Sequence, residues 1–224
     1  MLIAKSHRKS GYFLLGAIAT ATTLLLGCLP SAEAQREIPA GQTVWQHVGR
    51  VYVNFSTGKA IYAGYVSHLD GVSDSLFNGS PGESTAYFTF STDVLSLTPM
   101  ASNGDLTLNF VSAGTFNVYY NSTPSGDWSD PSTFSSGKLI ATFKRDQSQF
   151  PFFTTYGVHA LSETLESSQP FTFNGQTYNF NRMVPNGITF ASFFSATPQT
   201  TTLTDYPLAF AAAGTTTAVG STHR

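Results

Sequence analysis

Three small groups of side chains in this chain have the residue types and the spacing to do chemistry. His68 and Asp70, with Asp74 close behind, follow an apolar run that ends near Val66. On an extended segment a His-x-Asp pair points to one face, which suits a metal ion or an acid–base pair. Asp127, Trp128 and Asp130 put two carboxylates and an indole on one turn. Such carboxylates coordinate calcium, and an exposed indole stacks on a sugar ring. His159, Glu163 and Glu166 form the third group, with His159 and Glu163 four residues apart and so on one face of a helix. Paired carboxylates run acid–base or glycosidic chemistry when one of them is desolvated.

Each group also has a plainer reading. A histidine and an aspartate at a strand end belong to the surface, Asp before Pro131 and Asp after Gly126 are ordinary turn formers, and a His-Glu-Glu set is a solvated helix face. No metal site is expected, because His47, His159 and His223 stand far from His68 at unrelated spacings and zinc needs three or four ligands. The spacing of an EF-hand is absent, as are Gly-x-Ser-x-Gly, a P-loop, His-Glu-x-x-His and a dinucleotide fingerprint. No cofactor is expected either. The sequons at Asn54, Asn78 and Asn121 are of a kind that a chain rich in Asn, Ser and Thr produces by chance.

The elements that must position these groups follow from a period of two. Val51, Val53 and Phe55 alternate with Tyr52 and Asn54; Ile61, Ala63, Tyr65 and then Ala86, Phe88, Phe90 repeat the pattern, as do Leu106-Leu108-Phe110, Phe116-Val118-Tyr120 and Leu139-Ala141-Phe143. Turn formers such as Asn103-Gly104-Asp105 and Ala113-Gly114 separate them. Phe150 to Tyr156, Phe171 to Phe173, Thr177 to Phe180 and Ile188 to Phe194 are strand-like, with Asn174-Gly175 as a hairpin turn. Only Val158 to Ser168 offers a helix, because Leu161 and Leu165 fall four apart. The expectation is an all-β fold, an antiparallel barrel or sandwich of about 8–10 strands with at most one short helix. Residues 35–195 form the single domain, and the threonine-rich segment 196–224 is read as a partly disordered tail.

The first 34 residues read as a signal peptide. Lys5, Arg8 and Lys9 precede an uncharged stretch to Leu26 that is short for a membrane span, Pro30 breaks the helix, and Ala32-Glu33-Ala34 supplies a cleavage pattern. Leu25-Leu26-Gly27-Cys28 gives an alternative, a lipobox in which Cys28 carries the lipid. The expected location is therefore secreted, periplasmic or extracellular, with a lipid anchor to the envelope as the alternative. Cys28 is the only cysteine, so the domain folds without disulfides. Once Lys5, Arg8, Lys9 and Glu33 are removed, the mature chain keeps 8 basic and 12 acidic side chains, a net charge of −4, with the basic ones scattered singly except for Lys144-Arg145. That distribution argues against a nucleic-acid partner. The plentiful Phe and Tyr argue against disorder.

The stretch GTFNVYYNSTPSGDWSDPSTFSSGKLIATF, residues 114–143, resembles segments of secreted bacterial proteins, some of which carry PEP-CTERM sorting tails. The resemblance implies a bacterial envelope or extracellular context, although the apolar helix and basic end of that sorting signal are absent here. Three functional classes are ranked on these grounds. A binding or structural protein for a small apolar ligand or surface component comes first, since a barrel rich in aromatics can enclose one. A carbohydrate-binding module, with a glycan as partner, comes second. A barrel-type cyclase or isomerase comes third, by analogy of fold.

Overall fold

In the computed structural model the described residues are 36–220, so the expected signal peptide and the alternative lipobox at Cys28 lie outside them. In chain order the strands are β1 (Thr43–Asn54), β2 (Lys59–Leu69), β3 (Phe88–Thr92), β4 (Leu95–Asn103), β5 (Leu106–Val111), β6 (Gly114–Tyr120) and β7 (Lys138–Arg145). They continue with β8 (Ser148–Phe152), β9 (Tyr156–Ser168), β10 (Phe171–Phe173), β11 (Gln176–Tyr178), β12 (Ile188–Ser195), β13 (Gln199–Thr200) and β14 (Leu208–Ala218). Among the described residues one short α-helix, α1 (Phe180–Met183), stands between β11 and β12, and two single 3-10 turns lie at Glu83–Thr85 and Pro131–Ser135.

Eight of these strands close into an antiparallel barrel in the order β1-β14-β12-β9-β7-β6-β3-β2, with β2 returning to β1. Closure gives every strand of the ring a neighbour on each side and removes the exposed edges an open sheet would leave, apart from the stretch of β9 between Gly157 and Glu163. The period of two decides the inside. On β12, Ile188, Phe190, Ser192 and Phe194 are buried while the residues between them are not. One end is sealed by the β10–β11 hairpin and α1, whose Phe171, Phe173, Phe180 and Met183 join Trp45, Phe88 and Phe143 in the main core. The hairpin turns at Asn174-Gly175, where φ of 47° and 81° at the two central residues suit a tight two-residue loop.

Two expectations are corrected. Val158 to Ser168 lies within β9, paired with β12 on one edge and β7 on the other. Leu161 and Leu165 fit a period of two as well as a helical one, and the available partner edges select the strand. The segment after 195 is structured as well: β14 stands between β1 and β12 and completes the barrel. Its low complexity hides an ordinary alternation, in which Phe210, Ala212, Thr216 and Ala218 are buried on one face, while Ala209 is buried on the other in a separate small cluster.

The wall between β2 and β9 is built in two halves. β3 passes into β4 at Asp93-Val94, β5 into β6 at Ser112-Ala113, and β7 into β8 at Asp146-Gln147, each a two-residue break. On one side of the breaks β3 pairs with Ala63–Tyr65 of β2 and β7 with Glu163–Ser168 of β9; on the other, β4 pairs with Lys59 and Ala60, and β8 meets β9 at Gly157. Arg145 sits at this fault, 2% exposed. Its guanidinium donates to the carbonyls of Ser112 at 3.4 Å and Thr115 at 3.5 Å, while Asp93 accepts from the Thr115 N–H at 3.1 Å. These contacts serve backbone carbonyls where the ladder stops.

Candidate functional site

Inside the barrel, at the level of the break, lies a cavity of about 30 Å³, room for one or two water molecules. Its lining is mostly apolar and aromatic, including Tyr62, Phe116, Phe150, Phe190 and Phe194. Arg145, His159 and Glu163 are its basic and acidic members, and Thr92 and the Tyr62 hydroxyl are its other polar groups. An apolar lining with a few converging polar groups is the usual composition of a small-molecule site, but the volume is about a tenth of the ~300 Å³ at which such sites usually begin, so the cavity itself takes only a small group.

His159 and Glu163 share the interior face because β9 is a strand, in which residues four apart point the same way. The same geometry puts Glu166 on the outer face, where it is exposed, so the third sequence group divides. Glu163 stands opposite Arg145 in the β7–β9 register. Burial pushes its carboxyl up to about 8, against the pull of the Arg145 charge. Burial pushes His159 down to about 4, and Arg145 acts in the same direction. Both groups are therefore uncharged near neutrality. His159 Nε2 is hydrogen-bonded to Ser148 Oγ at 2.9 Å, whereas Glu163 Oε2 is buried and has no partner. Trp45 Nε1, His47 Nδ1 and Thr216 Oγ1 are also unpartnered, but of these four atoms only that of Glu163 belongs to a residue lining the cavity.

Deeper in the core, His47 Nε2 meets Ser192 Oγ at 2.7 Å, and Tyr62 OH lies 3.4 Å from the same oxygen. A Ser–His contact suggests a nucleophile. Here the serine has no exposure, the His47 ring stacks on Phe190 at 4.7 Å, and its Nδ1 finds no acid to orient it. Burial pushes His47 down to about 3. This pair is core packing; Gly214 makes room for it, since a Cβ there would come within 2.7 Å of His47 Nε2.

The other sequence candidates lie outside the barrel. His68 and Asp74 are exposed and Asp70 is half-buried at the end of β2, and among the described residues no three His, Cys, Asp or Glu side chains gather to hold a metal. Asp127 Oδ1 accepts from the N–H and hydroxyl of Ser129, and Asp130 Oδ1 does the same for Ser132. These bonds hold the Asp127 carboxyl below its ordinary range. Both carboxylates are thus spent on Asx turns, and Asp130 caps the single-turn helix Pro131–Ser135. Trp128 packs on Phe134 at 4.7 Å with the Arg50 guanidinium 4.8 Å over its ring, so its faces are occupied from within.

Sequence reasoning named His159 and Glu163 but passed over Arg145, which appears in the chain as half of a basic pair. Nothing local marks it, because its burial depends on strand breaks far apart in sequence. No family model, curated protein or solved structure matches this chain, so the chemistry of the cavity has to be read from its geometry alone.

Proposed function

We propose that the barrel binds a small, largely apolar molecule with one polar end, and that it does so outside the cytoplasm. The observation that carries this reading is the buried Glu163 carboxyl, one oxygen of which has no partner, on a mostly apolar cavity. An unsatisfied buried polar group costs about 1–3 kcal/mol, and an aliphatic residue would carry no such penalty. A ligand group that completes its hydrogen bonding recovers that energy on binding. The working location follows from Lys5 to Ala34, whose charge, apolar run and cleavage pattern are those of an exported chain.

The test is titration of the purified mature protein with an uncharged apolar fluorophore. Saturable binding at one site per chain is expected, with Glu163→Leu changing the affinity. Absence of saturable binding to the folded wild-type protein would refute the proposal. A second reading, an isomerase that moves protons on the bound molecule, is favoured by one observation: Glu163 and His159 are both uncharged near neutrality and line one cavity. Turnover of a bound carbonyl compound, abolished by Glu163→Gln, would separate catalysis from binding.

A further inference from the structure

The wall of the barrel is incomplete beside the cavity. β8 and β9 pair only at Phe152 and Gly157, and β9 regains a neighbour on that edge only at Glu163, opposite Arg145. Over the intervening stretch one side-chain hydrogen bond, Ser148 to His159, spans the two strands. Outside this gap is a cleft of about 470 Å³, lined by Leu108, Pro151, Val158 and Ala160, with Gln147 and Gln149 among its polar residues. Leu161 lines both the outer cleft and the inner cavity. Leu161 is the side chain common to both, beside the Phe150 ring that packs on His159 at 5.8 Å; the outer cleft is of mixed polarity, and the hollow holds a cation and a carboxyl with one unpartnered oxygen.

We infer that the β8–β9 gap is where the ligand docks, and that the ligand is an aliphatic monocarboxylate whose head enters the cavity at Glu163 and Arg145 while its chain lies in the outer cleft, with Leu161 as the gate. This rests on the binding reading above and names the ligand class for the same site. The sizes require the division: the inner cavity takes a head group and little more, while the outer cleft has the volume for a chain and apolar residues along which it lies. A linear molecule is the shape that passes between two strands at one side chain. The charge selects the head. Arg145 is the cation of the cavity, its own hydrogen bonds to carbonyls are long at 3.4–3.5 Å, and the facing Glu163 is held uncharged by burial. The Arg145 guanidinium, which also feels the charge of Asp93, is the cation that faces the head, and because burial favours the protonated form of Glu163 its carboxyl can donate a proton to a neighbouring carboxylate in a short hydrogen bond. An amine at the same place would meet a buried like charge.

The experiment compares dodecanoate, dodecanol and dodecylamine by calorimetry and stopped-flow fluorescence at pH 7. Dodecanoate should bind at least about ten-fold tighter than the alcohol, a difference of about 1.4 kcal/mol, and the amine should not bind measurably. Leu161→Ala should speed association and Leu161→Trp should slow it. Ala160→Asp, on the exposed outer face and so clear of the core, should weaken dodecanoate by about ten-fold or more by placing a charge in the path of the chain. If dodecanoate and dodecanol bind equally, the head-group assignment is wrong. If association is unchanged in Leu161→Trp and affinity is unchanged in Ala160→Asp, the gap is not the door. In either case continued binding of the apolar fluorophore leaves the broader binding reading standing, whereas loss of every ligand, fluorophore included, defeats that reading itself.

Discussion

Glu163 concentrates the energetics of the interior in one side chain. It is 4% exposed, one of its oxygens has no partner, and it stands beside a cation that lowers its pKa less than burial raises it. Replacing it with leucine removes an unsatisfied group and keeps the volume, so Glu163→Leu should stabilise the ligand-free protein by about 1–3 kcal/mol in chemical denaturation, while impairing binding. The pH dependence has two limbs of opposite sign. Glu163 is raised from 4.5 to about 8, so the folded state binds more protons than the unfolded one between those values; its contribution is full below about 4.5 and is lost as pH rises through about 8. His159 and His47 are lowered from 6.5 to about 4 and about 3, so their contribution is present above about 6.5 and is lost as pH falls toward those values. Thermal melting should therefore be highest near pH 6–7 and decline on both sides. In Glu163→Gln the alkaline decline between about pH 6.5 and 8 should disappear while the acid decline stays; an unchanged alkaline limb would show that another group carries it. The sequence contained the His159–Glu163 pairing, since four is a multiple of two as well as close to a helical turn. It did not contain the identity of Arg145 as a neighbour, which is a property of register.

At the scale of elements, clean alternation made the barrel strands readable. Phe88 and Phe90 on β3, or Phe116 and Val118 on β6, repeat every second residue and point inward as a pleated strand requires. The strands that escaped notice did so for physical reasons. β9 carries Leu161 and Leu165 at a spacing common to both periods, and β14 uses alanine and threonine, whose contrast in hydropathy is too small to mark a face. Pairing of β1 and β2 depends on another feature of small size. Gly49 and Gly64 face each other in the register, and a Cβ on Gly64 would come 2.2 Å from the Val48 carbonyl and 2.9 Å from the Phe90 ring. The backbones approach closely there under an aromatic lid. Gly64→Ala should cost on the order of 1–3 kcal/mol by overpacking, read as a lower denaturation midpoint. Gly71, which has open space around its Cβ position but a φ of 76°, should lose less on the same change, from backbone strain alone.

For the whole molecule, closure is the decisive property. The barrel is completed by its first and last strands, since β1 pairs with β14 along Thr43–Val53 and with β2 along Trp45–Asn54. A chain ending at residue 195 would keep most of the apolar residues but leave β1 and β12 with bare edges, and Val53 without Phe210 in its cluster. Such a truncation should lack a cooperative thermal transition by circular dichroism; a sharp transition would show that the last strand is dispensable. The break in the wall is also a property of the whole, because three separate chain passages must bend at the same height to create it.

The sequence by itself determined that this is an all-β domain without disulfide staples, since strand periodicity, turn residues and cysteine count are local or additive properties. It also supplied His159 and Glu163 of the cavity, because their spacing along one strand places them on one face. Barrel rather than sandwich, the ordering of the threonine-rich end, the burial of Arg145 and the gap beside Leu161 were decided only in three dimensions. Each of these depends on which strand edges meet, and edge pairing is set by packing across the closed sheet, where residues more than a hundred positions apart, such as His47 and Ser192, become neighbours.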